Sequence, residues 1–171
     1  ASRVNRVSRP TLEKLLGHLD LLDRLGSGRL APGTGRVLDV GAADWLYAGA
    51  LTAWLMEKAA ARPLELLGIE VDPHRFDVGF VTWASKARHQ IDLFASEDTH
   101  LDYQGGNFLQ VYGRFDLITW FFPLFTLDGL KAYGLGAELH QPEAQLKHAD
   151  RILEAGGNMI FASSGYWEWE G

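Results

Sequence analysis

Four residues of this sequence combine a group suited to ligand binding with a position close behind a run of apolar residues. They are Gly41 in VLDVGAADW, Glu70 in LLGIEVD, Asn107 in GGNFL and Trp120 in FDLITWFFP. A glycine lets the backbone approach a ligand closely, while carboxylate and amide oxygens accept hydrogen bonds from it. Each apolar run predicts a buried strand, and in parallel sheets ligands bind beyond the carboxyl ends of the strands. We therefore expect these residues to meet at one edge of a sheet.

The segment RVLDVGAADWLYAGAL, residues 36–51, predicts a strand, a tight turn at Gly41 and a helix. In such a turn, backbone N–H groups and the helix N-terminus face the ligand. A turn that holds a dinucleotide pyrophosphate needs G-x-G-x-x-G, and the matching positions here are Gly41, Ala43 and Leu46. A leucine at the third position would hold the helix away from the strand. The turn therefore favours a ligand that presents no phosphate to it.

Strands and helices alternate along the rest of the chain. The apolar pattern predicts strands at 36–41, 64–71, 100–109, 115–122 and 158–163, and helices at 47–61, within 74–96 and from Pro142 to the pair Gly156-Gly157. The stretch between the fourth strand and His140 is predicted to be irregular. This alternation predicts an α/β fold whose mainly parallel sheet is covered by helices on both faces.

A leucine-rich helix is predicted ahead of the first strand. Leucines recur at three- and four-residue steps from Leu12 to Leu25, after Pro10 and before Gly26. One leucine face of this helix should pack on the body of the protein. We divide the chain into an N-terminal arm and helix, residues 1–30, and a ligand-binding domain, residues 31–171, within a single folding unit.

The charge of the chain is uneven. Residues 1–30 hold six Lys/Arg against three Asp/Glu, whereas the remaining residues hold ten against nineteen. A body this acidic disfavours wrapping around nucleic acid, although a basic arm can contact a phosphate backbone. A solvated, charged helix face explains the same pattern. The arm therefore leaves both interpretations open.

Cysteine content and hydropathy exclude further classes of function. The chain has no cysteine, which excludes disulfides, thiolate zinc sites and a cysteine nucleophile. Its longest nearly uncharged apolar run, residues 117–127, is shorter than the roughly 18 residues that a spanning helix needs. We expect a soluble, cytoplasmic protein with no membrane partner.

Taken in chain order, five segments resemble the motifs of class I S-adenosylmethionine-dependent methyltransferases. They are VLDVGAADW, LLGIEVD, GGNFL, FDLITWFFP and ADRILEAGGNMIF, within residues 36–164. The resemblance rests on their joint order and spacing. It implies a three-layer, Rossmann-like α/β sheet, S-adenosylmethionine as cofactor, and transfer of its methyl group to an acceptor.

The resemblance also leads to a prediction about the end of the sheet. The family's sheet usually closes with an antiparallel hairpin after the fifth strand, whereas this chain stops at GYWEWEG. Either the sequence is a truncated piece of the fold, or the fold is a reduced version that lacks the hairpin and leaves the sheet edge exposed. An exposed edge favours pairing with another chain, which suggests a homodimer.

In the first motif, the resemblance implies cofactor contacts around the methionine part of S-adenosylmethionine. The family pattern is acid-x-G-x-G-x-G, which falls on Asp39, Gly41, Ala43 and Trp45. The acid and the first glycine are kept, and the other two glycines are replaced. Contacts are therefore expected from Asp39, Gly41, Ala42 and Ala43, and Trp45 either packs or closes over the methionine end.

Later motifs supply the other cofactor contacts that the resemblance implies. Glu70 takes both ribose hydroxyls, Val71 lies against the adenine, and Asn107 accepts a hydrogen bond from the adenine amino group. Trp120 lines the same site. Each position also has a plainer interpretation, as a solvated strand end, a turn asparagine or a core side chain.

The fourth strand bears on the acceptor. Methyltransferases that act on nucleic-acid amino groups commonly show Asn/Asp-Pro-Pro-aromatic here, whereas this sequence reads Phe121, Phe122, Pro123 and Leu124. The polar side chain is missing, which disfavours a base amino group as acceptor. The aromatic residues either line the bottom of an apolar substrate pocket or pack in the core. A catalytic base is not required, because positioning two reactants can supply roughly 7–11 kcal/mol.

A hydroxyl acceptor would call for a base, and three residues are candidates. His140 in GLGAELHQP is preferred over Glu138 and over His148, which falls inside a predicted helix. The remaining histidines show no ligand spacing with carboxylates, so we predict no metal. The acceptor stays open between a small molecule and an RNA. Two other functions compete: a catalytically silent S-adenosylmethionine-binding or interaction domain, and an NAD-dependent oxidoreductase.

Overall fold

The computed structural model describes residues 9–25, 30, 33–59, 63–76 and 79–163. Its strands are β1 (Arg36–Val40), β2 (Leu64–Glu70), β3 (Thr99–Gly105), β4 (Phe115–Phe121) and β5 (Leu153–Ala162). The strands pair in the order β3-β2-β1-β4-β5, and every pairing is parallel. The predicted α/β, Rossmann-like sheet is thereby confirmed. The strand order reverses next to β1, the place where such sheets bind ligands.

Helices cover both faces of the sheet. They are α1 (Arg9–Leu25), α2 (Ala48–Lys58), α3 (Trp83–Phe94), α4 (Leu127–Ala132) and α5 (Pro142–Ile152), with short 3-10 helices at Phe108–Gln110 and Ala137–Leu139. Neighbouring side chains of β1 lie on opposite faces of the sheet. Val37 packs in the core between the sheet and helices α1 and α2, and Leu38 packs in the core between the sheet and α5. Burial on both faces is why the strands read as nearly continuous apolar runs.

The leucine-rich helix α1 packs one face on the body, as predicted. Leu22 is fully buried, and Leu15 and Leu19 pack against the same core cluster. A side-chain hydrogen bond fixes the helix to α2, because the indole Nε1–H of Trp54 donates to Asp23 Oδ1 at 3.0 Å. Since α1 is anchored in this way, its side chains can take part in the site. The predicted basic arm, residues 1–8, lies outside the described residues.

The predicted end of the last helix is wrong. Helix α5 ends at Ile152, and the pair Gly156-Gly157 lies within β5. The register of β5 against β4 shifts between Phe115 and Leu117. The backbone of Gly156 has φ +82° at this irregularity, and a Cβ on Gly157 would lie 2.9 Å from the carbonyl oxygen of Asp116. These glycines therefore serve a bulge rather than a helix end.

The stretch after β4 is more ordered than predicted. Helix α4 begins after Thr126, whose Oγ1 accepts the Gly129 N–H at 3.0 Å. A threonine in this place is a typical N-cap, so the signal was present in the sequence. The helix matters for the site because its Leu130 lines the cavity at this edge of the sheet.

Four predictions concern membrane association, the end of the sheet, oligomeric state and location, which the structure tests only in part or not at all. None of the described helices is long and apolar enough to cross a membrane. The predicted absence of the antiparallel hairpin concerns residues 164–171, which lie outside the described part of the chain. The homodimer and the cytoplasmic location stay predictions.

Candidate functional site

A cavity of about 600 Å³ opens beyond the carboxyl ends of β1, β2 and β4. Six of the residues predicted from the sequence line it: Gly41, Ala43, Glu70, Val71, Asn107 and Trp120. The four strand-end positions therefore do meet at one edge of the sheet. Their roles as cofactor contacts stay predictions.

The carboxylate of Glu70 joins the two loops that form the cavity wall. Its Oε2 accepts the Ala43 N–H and its Oε1 accepts the Asp72 N–H, each at 2.9 Å. Burial raises the pKa of Glu70, and the two backbone hydrogen bonds oppose that rise. A carboxylate has about four lone-pair sites, so roughly two remain for hydroxyl groups of a ligand. Glu70 is thus both a structural joint and an acceptor at the cavity.

The turn after β1 keeps the positive φ angles that favour glycine, even at positions where another residue replaces the glycine. The φ angles of Gly41, Ala43 and Trp45 are +71°, +50° and +48°. These are the three glycine positions of the acid-x-G-x-G-x-G pattern. A left-handed conformation costs a residue with a side chain about 1–2 kcal/mol. The replaced residues therefore preserve the shape of the turn at an energetic cost that surrounding contacts must offset.

Asp39 supplies the main contact that holds this turn. Its Oδ2 accepts the indole Nε1–H of Trp45 at 2.8 Å and the hydroxyl of Tyr47 at 2.7 Å. Its Oδ1 accepts the hydroxyl of Thr119 at 2.6 Å. Burial raises the pKa of Asp39 to about 6, although the three hydrogen bonds oppose the rise. Asp39 is a positioning residue whose carboxylate is occupied by the protein itself.

Two predicted contact positions lie behind the cavity wall instead of in it. Asp39 is 1 % exposed and Ala42 is fully buried, and the cavity lining contains neither side chain. Strand alternation explains this for Asp39, because a side chain two residues after Val37 faces the same α2 side of the sheet. Ala42 packs near Gly68 in the same layer. Neither side chain therefore reaches the cavity, and the expectation that both residues contact the cofactor stays a prediction.

Trp45 packs inside the protein, which answers whether it closes over a ligand. Its side chain is fully buried. A Cβ on Gly68 of β2 would lie only 3.0 Å from Trp45 Cε2 and 3.2 Å from the Ala42 Cβ. The glycine inside the strand thus makes room for the indole. The sequence carried this signal, since a glycine within an apolar strand often marks a close approach.

The backbone N–H groups of the turn are largely committed to protein acceptors. Those of Gly41 and Ala42 donate to the carbonyl of Ile69 at 2.9 and 3.1 Å, and that of Ala43 donates to Glu70. The Trp45 N–H donates to the carbonyl of Ala42 at 2.8 Å. A pyrophosphate loop instead presents its N–H groups to the ligand. This turn is therefore poorly suited to a dinucleotide.

An arginine connects the loop after β2 with the end of α4. The Nε of Arg75 lies 3.0 Å from Asp72 Oδ2. Its guanidinium lies over the rings of Trp83 and Tyr133, 5.1 and 5.2 Å from their centroids, and donates to the Tyr133 carbonyl. Arg75, Trp83 and Tyr133 all line the cavity. This contact, which links distant parts of the sequence, holds α4 over the cavity.

Of two further predicted contacts, Asn107 has a second role and Val71 does not pack in the core. The side chain of Asn107 lines the cavity, but its Oδ1 also accepts the Leu109 N–H at 2.9 Å and caps a 3-10 helix. Val71 lines the cavity and is 40 % exposed, so it is not a core residue. The cavity interpretation and the turn interpretation of Asn107 are thus compatible.

None of the three predicted base candidates is among the residues that line the cavity. His140 Nε2 forms a hydrogen bond with the Phe125 carbonyl at 2.8 Å, and Glu138 is exposed. His148 is buried edge-on against Phe108, and burial lowers its pKa, with the charge of Arg151 second. The preference for His140 is therefore not supported by its position.

The histidine that does line the cavity is His18 of α1. Its ring stacks on Tyr47, with the ring centroids 4.5 Å apart and the planes 5° apart. Its spacing offered a signal, because residues three and four apart share a helix face and Leu15 and Leu22 mark the inner face. The absence of metal-ligand spacing around His18 says nothing of this position on the inner helix face.

Comparisons with known proteins agree with this architecture. No protein-family model matches the chain, and no curated protein matches it. Among solved structures, an O-methyltransferase family protein from Burkholderia thailandensis has a TM-score of 0.55 and 15 % identity over 85 % of this chain and 36 % of its own. A phosphoethanolamine N-methyltransferase from Haemonchus contortus, in complex with phosphoethanolamine and S-adenosylhomocysteine, has a TM-score of 0.54 and 17 % identity over 85 % and 25 %.

A third solved structure is similar over nearly the whole chain. It is an amino pentose methyltransferase from Micromonospora echinaspora, bound to S-adenosylmethionine, with a TM-score of 0.50 and 16 % identity over 96 % of this chain and 54 % of its own. This chain thus spans between a quarter and about half of the length of these three proteins. At such identities the likeness is one of fold: this chain has the class I S-adenosylmethionine-dependent methyltransferase fold.

Proposed function

We propose that this chain binds S-adenosylmethionine and transfers its methyl group to an acceptor. The observation that carries the proposal is the position of Glu70, an acid that closes β2 and lines the cavity with both oxygens fixed by backbone N–H groups. The fold supports it, since the similar structures include one bound to S-adenosylmethionine and one bound to S-adenosylhomocysteine.

The chemistry of the lining fits this cofactor. Hydroxyl groups of a ribose need acceptors, which Glu70 supplies, and an adenine can lie between Val71 and Asn107. The carboxylates of Asp44 and Asp72 also line the cavity, where they pair with Lys86 and Arg75 at 3.5 and 3.0 Å. Most N–H groups of the turn already donate to protein acceptors, so few remain to bind a pyrophosphate. These features favour S-adenosylmethionine over NAD.

Transfer would depend on positioning more than on acid–base catalysis. When bound, S-adenosylmethionine would supply an electrophilic methyl group on its sulfonium; a lone pair of the acceptor would take up this methyl group, the electron pair of the carbon–sulfur bond would stay on sulfur, and the acceptor proton would go to water. Glu70 and the turn after β1 would orient the donor. Helix α4, held by Arg75, would limit access of water. Orientation of this kind can supply roughly 7–11 kcal/mol.

The test is calorimetric titration of the chain with S-adenosylhomocysteine and, separately, with NADH. Binding of the first and no binding of the second is the expected result. Tight NADH binding without S-adenosylhomocysteine binding would overturn the proposal. Incubation with S-adenosylmethionine labelled on the methyl group, followed by detection of labelled product across an acceptor panel, then separates an enzyme from a catalytically silent binding domain.

A further inference from the structure

The cavity has two chemically different ends. Acidic side chains follow β1 and β2, where Asp44, Glu70 and Asp72 line the wall. The wall that follows β4 is apolar and aromatic instead, and consists of Phe121, Phe122, Pro123 and Leu124. The proposed donor uses the acidic end. The end at β4 is therefore left for the acceptor.

The segment after β4 supplies a second apolar wall. Leu130 of α4 is 4 % exposed and lines the cavity together with Leu135 and Leu139. Arg75 ties the end of α4 to the opposite loop through Tyr133. The acceptor end is thus a chamber between β4 and the α4 segment, in a cavity whose volume of about 600 Å³ is typical of small-molecule sites.

The charges of the lining exclude anionic acceptors from this chamber. Among the described residues that line the cavity, Arg75 is the sole lysine or arginine. Its guanidinium is already shared among Asp72, the Tyr133 carbonyl and the faces of two aromatic rings. A phosphate or carboxylate would lose its hydration here without gaining a counter-ion, which is strongly unfavourable. An RNA backbone meets the same obstacle.

We propose that the acceptor is a small, uncharged molecule with an aromatic or similarly apolar ring, held between the end of β4 and the α4 segment. This rests on the proposed function, which sets the donor at the acidic end. Phe122 lines the chamber and is 48 % exposed, and flat apolar molecules gain from stacking on aromatic rings. Gln145 and His18 line the cavity as well and supply polar groups that can orient a hydroxyl.

The experiment compares probes that share one ring system. Protein saturated with S-adenosylhomocysteine is titrated with 2-naphthol, with 2-naphthyl phosphate and with a single-stranded oligouridine. We expect 2-naphthol to bind at least about tenfold more tightly than the phosphate ester, and the oligouridine not to bind, since an unpaired buried anion costs several kcal/mol. Equal or tighter binding of the phosphate ester, or binding of oligouridine alone, overturns the inference.

Variants assign the binding to the chamber. Phe122→Ala should weaken 2-naphthol binding about tenfold, whereas Tyr112→Ala, which removes an exposed ring that is not in the lining, should leave it unchanged. Phe122→Lys should raise the affinity for 2-naphthyl phosphate by installing the missing cation. If Phe122→Ala and Tyr112→Ala behave alike, the ring binds elsewhere and the inference fails. S-adenosylhomocysteine affinity, measured first in every variant, reports separately on the proposed function.

Discussion

Replacing Asp39 by asparagine should remove a specific pH dependence from the stability of the protein. The buried carboxyl has its pKa raised from 3.8 to about 6. It therefore binds its proton more tightly in the folded chain than in the unfolded chain. Its contribution to stability is complete below about pH 4 and is lost as the pH rises through about 6. A rise of about two units corresponds to roughly 3 kcal/mol.

The assay is urea unfolding followed by tryptophan fluorescence, at several values between about pH 4 and pH 7. Trp45 and Trp54 are buried and report the transition. Relative to Asp39→Asn, the wild-type protein should lose about 3 kcal/mol of unfolding free energy across this window. The exposed Asp92, replaced by asparagine, is the control and should keep the wild-type profile.

The variant also carries a cost that does not depend on pH. Trp45, Tyr47 and Thr119 all donate to Asp39, and an asparagine offers one oxygen in place of two. A buried donor left without an acceptor costs about 1–3 kcal/mol. The two effects separate because only the carboxyl effect varies with pH. A constant difference between wild type and Asp39→Asn across the window would refute the reasoning.

Two further substitutions test the packing of the turn and the arginine contact. Gly68→Ala should destabilise the fold by about 1–3 kcal/mol, because its Cβ would meet Trp45, whereas Gly79→Ala, which has open space, should not; urea unfolding measures both. Arg75→Ala should speed dissociation of S-adenosylhomocysteine in stopped-flow measurements, because α4 loses its tie through Tyr133. Arg75→Lys should rescue little, since an ammonium cannot stack between rings. Dissociation unchanged in Arg75→Ala would show that the contact does not hold the cavity closed.

The elements and the place of the site were predictable because local patterns specify them. Apolar runs followed by Gly41, Glu70 and Asn107 predicted both the parallel sheet and the edge at which its ligand cavity lies. Asp39 shows what a motif leaves open, because matching an acid to a family pattern does not say on which face of the sheet the acid lies. Strand alternation, counted from Val37, would have placed it under α2.

Features that join distant segments were not predictable from one sequence. The Arg75–Tyr133 contact bridges residues 58 positions apart, and no local pattern pairs them. Gly68 within an apolar strand does signal a close approach, but the identity of its partner, Trp45, depends on the pairing of β1 with β2. The bulge at Gly156 depends on the register of β5 against β4, which the sequence pattern does not reveal.

The central claim, that Glu70 binds the ribose of S-adenosylmethionine, has a direct test in calorimetry with S-adenosylhomocysteine. Glu70→Gln removes a charged acceptor at the cavity, whereas Glu65→Gln removes an exposed one at the opposite end of the same strand. Charge-assisted hydrogen bonds contribute about 1.5–3 kcal/mol each, so Glu70→Gln should weaken binding by at least about tenfold. Glu65→Gln should bind like wild type. Wild-type protein that does not bind S-adenosylhomocysteine, or Glu70→Gln that binds as tightly as wild type, would contradict the account.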